Sequence, residues 1–86
     1  MKSFALRIVG PEGVLAEEAA AESLVLPGAA GSLGVWAGHE PWTVLLERGA
    51  VSWRGAGSQW KSVDIASGVA AIEGARTVVL ADAAGK

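Results

Sequence analysis

Chemistry in a short chain needs side chains that converge, and here the candidates are few. His39 is the only histidine, cysteine is absent, and nine acidic residues are spread along 86 positions. A zinc or iron site draws on several imidazole or thiolate ligands, which this inventory does not supply. Ser67 lies in Ala66-Ser67-Gly68, without the leading glycine of a nucleophile elbow. Nothing in the sequence suggests that it meets His39. The carboxylates stand singly apart from Glu17-Glu18, which an extended backbone would send to opposite faces, leaving no pair for acid–base work. A Gly-x-x-x-x-Gly-Lys-Ser/Thr loop is missing, and no glycine precedes a helix that could receive a phosphate. These residues predict a non-catalytic chain with no cofactor, no metal and no small-molecule ligand. The simplest role for His39 is in a turn, with its ring bonded to nearby backbone.

Whatever the chain does, its elements must fit one domain at this length. A domain so small stabilises itself from a single core, and 51% of the residues are apolar while only 19% are charged. So lean a charge content suggests that something other than water covers part of the surface. Seven basic residues against nine acidic ones give a formal net charge of −2. Both signs are dispersed, with no basic stripe for nucleic acid. The apolar runs are too short to span a bilayer, and Met1-Lys2-Ser3-Phe4 does not open a secretory signal. A cytoplasmic protein without membrane insertion is the default expectation.

Glycine and proline punctuate the chain at short intervals. Phe4, Leu6 and Ile8 alternate with Ala5, Arg7 and Val9 before Pro11-Glu12-Gly13 turns the chain. Leu24 to Leu26, Leu33 to Trp36, Trp42 to Leu46, Ala50 to Arg54, Ser58 to Val63, Val69 to Ile72 and Thr77 to Leu80 follow as strand candidates. Turns are expected at Gly38, Gly49, Gly55-Ala56-Gly57, Gly68 and Glu73-Gly74. This spacing predicts an all-β domain over 1–86, a two-sheet β-sandwich of about ten short strands. Ala16 to Glu22 consists of strong helix formers, yet two turns of helix are marginal alone, so extended structure is expected there. Along Trp42-Thr43-Val44-Leu45-Leu46 neither face is polar, and Leu33 and Trp36 fall on opposite faces of their strand. Several such residues together favour a protein-binding surface over chance exposure.

Between Gly31 and Pro41 the pattern becomes specific. Gly31-Ser32-Leu33-Gly34-Val35-Trp36-Ala37-Gly38-His39-Glu40-Pro41 resembles the signature of ATP synthase epsilon subunits, Gly-x-Leu-Gly-Ile/Val-x-x-Gly/Asn-His-x-Pro. Leu6 to Gly13, Ile65-Ala66-Ser67-Gly68-Val69 and Val78 to Asp82 are similar to the family's first strand, its apolar-Ser-Gly-Gly stretch and its closing strand. Pro41 keeps Glu40 out of the helical region, which suits a rigid corner presenting His39. The resemblance implies a ten-stranded sandwich in the central stalk of a bacterial F-type enzyme, with the gamma subunit and the c ring as partners. By motif position it puts Gly10, Trp36, His39, Trp42 and Val44 towards gamma, and Gly28, Ala29, Ala30, Gly31, Ser32 and Leu33 against the c ring. It also implies a peripheral place on the cytoplasmic face of the inner membrane, in a complex that couples ion transport to ATP synthesis.

Some positions depart from the family. Ser32 stands where many relatives carry an acid, and Trp42 where they carry a leucine-like residue. Members usually continue into two helices that can block ATP hydrolysis. Here the sequence stops at Lys86, shortly after Asp82, so the expectation is coupling without a C-terminal helical domain or inhibitory arm. Two other readings compete. One is an unrelated sandwich adaptor. The other is a carrier domain with a modified lysine, although Lys61 in Gln59-Trp60-Lys61-Ser62 lacks the flanking residues of such a site. Alternation on the Trp42 strand leaves one face for the core, and the expectation is that Trp42 and Val44 face the partner.

Overall fold

Ala16 to Glu22 is extended, and its partner explains why. In the computed structural model, which describes residues 2–83, strand β1 (Phe4–Gly10) pairs antiparallel with the first half of β2 (Gly13–Gly28), joining Arg7 to Glu17 and Ile8 to Ala16. Ala21 is fully buried and Ala16 packs on the core. Tertiary burial thus outweighs the helical preference of these alanines and glutamates. The remaining strands are β3 (Gly31–Val35), β4 (Trp42–Leu46), β5 (Gly49–Gly55), β6 (Lys61–Ile72) and β7 (Arg76–Ala83).

The pairings resolve into two layers joined by shared strands. One layer runs β3, the second half of β2, β5, then the first half of β6. The other runs from the first half of β2 through β1, β7 and the second half of β6 to β4. β1 and β7 are parallel; the other pairings are antiparallel. Register shifts mark β2 between Ala21 and Ser23, and β6 between Ile65 and Ser67. Both lie where the strand passes from one layer to the other, as bulges do at sheet corners.

This sharing corrects the expected strand count. There are seven strands among the described residues, not about ten, because β2 and β6 each serve both layers. Gly68 is not a turn but the interior of β6, opposite Leu46 and Ala81. A Cβ there would stand 2.6 Å from the Leu80 carbonyl oxygen, so glycine allows a close backbone approach and the strand runs on. Ser58 to Trp60 is not strand either. The Ser58 hydroxyl accepts from Gly55 N–H and donates to Gly55 C=O, both at 2.9 Å, which closes the turn before Lys61.

Inward residues of both layers fill one core. Leu24, Leu26, Val35, Val51, Trp53 and Ile65 face Leu6, Ile8, Ala70, Ile72 and Val79. Among the described residues, two side-chain polar atoms are buried there without a hydrogen-bond partner, Thr77 Oγ1 and Trp53 Nε1. The hydroxyl has apolar neighbours in its own row, since Thr77 lies between Leu6 and Ile72.

Candidate functional site

The segment after β3 builds the expected corner. Val35 is buried, so the next residue, Trp36, points outward and is 62% exposed. Gly38 has φ +83°, a left-handed backbone that other residues avoid, and its N–H donates to Gly74 C=O at 3.0 Å. His39 N–H donates to Trp36 C=O at 3.3 Å. The His39 ring then stacks nearly parallel on Trp42, with centroids 6.0 Å apart, and meets Trp36 edge-on at 6.1 Å. Its Nδ1 lies 2.8 Å from Glu40 C=O, an acceptor, so Nδ1 carries the proton and donates. The turn histidine bonded to backbone is therefore what the structure contains, placed between two indoles.

The expected faces of β4 are inverted. Leu46 is buried and Val44 packs against the core, so Trp42, Val44 and Leu46 form the inward side. Trp42 stays 49% exposed because it lies at the open end of that side, beneath His39. Thr43 and Leu45 face out. Gly10 is not brought to the corner. It lies across the sheet at the other end of the strands, beside Gly68, Leu80 and Ala81 around a shallow depression. Only Trp36, His39 and Trp42 of the gamma-facing set come together.

What joins the scattered positions is a row that the sequence reading missed. Leu45 pairs with Val69, Val69 with Leu80, Leu80 with Val9, and Val9 with Val14. Directly paired residues share a face, so these side chains cross the whole layer on its outer surface. Leu45 is 68% exposed, Leu80 57% and Val14 54%. A signal existed in the two apolar faces of Trp42–Leu46, but the row becomes visible only with the register of five strand segments.

The expected ring-contacting loop is a hairpin tip. Gly28 pairs with Gly31, which leaves Ala29 and Ala30 as its exposed end. Two bonds pin it to β4: Ala29 N–H to Leu45 C=O at 3.3 Å, and Glu47 N–H to Pro27 C=O at 2.8 Å. Gly31 and Ser32 are exposed, whereas Leu33 packs on the core. The tip carries no charge and offers only small side chains and backbone.

The serine and the histidine singled out in the sequence lie apart. Ser67 Oγ is 3.4 Å from Asp82 Oδ2, while His39 lies by the Gly74 turn at the far end of β6. Glu17 binds Arg7 at 2.6 Å and Glu18 binds Lys61 at 3.3 Å, so the adjacent carboxylates do turn to different partners. Among the described residues no group of three histidine, aspartate or glutamate side chains could hold a metal ion. No helix among them is long and apolar enough to cross a membrane.

Comparison with known proteins supplies a family. The model for the ATP synthase delta/epsilon chain β-sandwich domain matches residues 3–86. The ATP synthase epsilon chain of Granulibacter bethesdensis is 38% identical over 84 residues, covering 98% of this chain and 62% of the relative. That of Macrococcus caseolyticus is 36% identical over 84 residues, with the same shares of 98% and 62%. The chain thus spans about three fifths of the length of these relatives. Among solved structures, a chain of the Euglena gracilis mitochondrial ATP synthase superposes with TM-score 0.86 at 17% identity, over 94% of this chain and 51% of that one. A chain of the Tetrahymena thermophila central stalk and c-ring structure gives 0.75 at 10%, over 93% of this chain and 63% of that one. At such identities these likenesses establish the fold.

Proposed function

Because the chain belongs to the ATP synthase delta/epsilon family through its β-sandwich domain, we propose that it is a non-catalytic central-stalk subunit of an F-type ATP synthase. In this reading it binds the gamma subunit and the c ring at the cytoplasmic face of the membrane and helps couple ion translocation to ATP synthesis. The observation that carries the reading is the family match along the whole sandwich, including the Gly31–Pro41 signature that shapes the His39 corner.

A coupling part needs stiffness and two gripping surfaces, not reacting groups. The two layers share β2 and β6, so no seam divides the sandwich along its length. The gamma contact we propose comprises Trp36, His39 and Trp42, with Val44 behind them and Gly10 at the far end of the sheet. The c-ring contact is the tip from Gly28 to Leu33. Small side chains let a partner loop approach its backbone, and the two bonds to β4 hold it still. Ser32 in place of an acid makes this a contact of shape and backbone polarity.

Copurification tests the reading. The chain, bearing an affinity tag, is expected to retain purified gamma and, with gamma bound, a detergent-solubilised c ring. It is also expected to show no ATP hydrolysis and no saturable ATP binding by calorimetry. Failure to retain gamma under conditions where a full-length epsilon relative retains it overturns the proposal.

A further inference from the structure

We propose that the free edge of β3 is a self-pairing site, at which two copies of this chain join their sheets antiparallel about Leu33. This goes beyond the rotor reading, and the pairing itself does not depend on it. The first support is which backbone groups are left over. Pro27 C=O accepts from Glu47 N–H, so at this position β2 turns its backbone away from β3. Ser32, opposite Pro27, therefore points its own N–H and C=O off the sheet, and alternation gives Gly34 the same direction. Among the described residues the other margins are guarded. Lys61 and Glu18 tie β6 to β2, while β4 follows Pro41 and accepts the Ala29 N–H at Leu45 C=O. β3 holds neither proline nor charge, and no residue from Ser23 to Gly38 is ionisable. Natural sheets seldom leave such an edge open, because it is a template for another strand.

The strand suits a two-fold partner. Pairing Ser32 of each copy with Gly34 of the other satisfies the outward N–H and C=O groups of both strands. Leu33 then meets Leu33 across the axis on the core side, where each is only half-buried and packs on its own core. On the outer side the match is large against small. Trp36 is 62% exposed and leans back over Gly34, its Cζ3 3.7 Å from where a Cβ would stand. In this register Trp36 faces Ala30 of the other copy, with Ser32 of that copy diagonally beside it. Each indole gains a floor of small side chains, and no charge is brought near another. Symmetric pairing consumes both edges, so growth stops at two copies. A joint of one short strand belongs with weak, transient interfaces, as befits a subunit that must release its twin. It covers Trp36 and Gly31 to Leu33, which the rotor reading gives to gamma and the ring, so pairing and assembly exclude each other.

Sedimentation equilibrium of the free chain is the test, run from micromolar to millimolar concentration on wild type, Ser32→Pro, Ser32→Lys and Trp36→Ala. Circular dichroism melts at low concentration check that each variant folds. Wild type is expected to dimerise reversibly. Ser32→Pro removes an outward N–H from each copy, and Ser32→Lys sets a cation on each side of the joint. Both are expected to raise the dimer Kd at least about tenfold while melting like wild type. Trp36→Ala raises it to a smaller extent. If Ser32→Pro disturbs the hairpin, Ser32→Lys alone decides. A chain that stays monomeric to millimolar concentration overturns the proposal, and so does a dimer that the folded Ser32 variants preserve. Adding gamma with a detergent-solubilised c ring is expected to convert dimer into bound monomer, and a dimer retained on the ring overturns the exclusion. If neither gamma nor the ring binds, the rotor reading falls while sedimentation still decides the pairing.

Discussion

The two outer faces of this sandwich are built from strands of similar length, yet they differ sharply in what they show to solvent. On the layer containing β3 and β5, the row Gly34, Val25, Ser52 and Ser62 crosses the sheet, bordered by Ser23, Arg54 and Asp64. On the layer containing β1 and β7, the corresponding row is Leu45, Val69, Leu80, Val9 and Val14. The first is the small, hydroxyl-rich surface expected of a sheet facing water. The second is coloured like a core and left uncovered. Two faces of one fold, under the same backbone constraints, thus differ in a way that folding of this domain does not itself require.

Four substitutions break or sharpen that contrast. The largest effect falls where the outer row meets the backbone beneath it. Gly68→Val would press a Cβ into the Leu80 carbonyl, and a loss of about 3 kcal/mol in urea unfolding is expected. An unfolding curve like wild type would mean that β6 bends away there and the row is not held as described. Next comes Trp42→Ala, which removes a side chain half-buried against its own domain. We expect a loss of about 2 kcal/mol, below the cost of a fully buried tryptophan. No measurable change would return Trp42 to the free surface and restore the outward reading of its face.

Smaller effects probe the interior and the border of the row. Thr77→Val replaces a buried, unpartnered hydroxyl with a methyl of similar shape and is expected to gain about 1 kcal/mol. A loss in the same chemical denaturation assay would show that the hydroxyl has a partner. Arg7→Ala removes an ion pair whose side chains are 57% and 53% exposed, and the expected change is within about 0.5 kcal/mol. If it instead costs as much as Trp42→Ala, the border of the row contributes to folding as the other face does not.

Much of this architecture could be read before any coordinates. Phe4, Leu6 and Ile8 alternate so regularly that β1 was legible from Phe4 to Val9, one residue short of its end at Gly10, and the short helical composition of Ala16 to Glu22 yielded to the need for a strand partner. The His39 corner followed from Gly38 and Pro41, because restricted backbone angles belong to residue types. Strand count did not follow, since a glycine such as Gly68 signals close approach and a turn equally well. Nor did the inward side of β4: alternation separates Trp42, Val44 and Leu46 from Thr43 and Leu45, but only the packing of Leu46 and Val44 into the core selects between them. The outer row stayed hidden for the same reason, being a property of register and not of any one segment.

The parallel pairing of β1 with β7 has a consequence for synthesis. Phe4 to Gly10 leaves the ribosome early, yet one of its two neighbours in the sheet begins only at Arg76. Such a sequence-distant contact forms slowly and carries a large loop-closure cost. Until Thr77 and Val79 arrive, Leu6 and Ile8 cannot be sealed on that side, and the nascent domain stays open along an apolar seam. A chain so arranged completes its core in a late step, and a ribosome stalled before Arg76 would hold an adhesive, unfinished sheet.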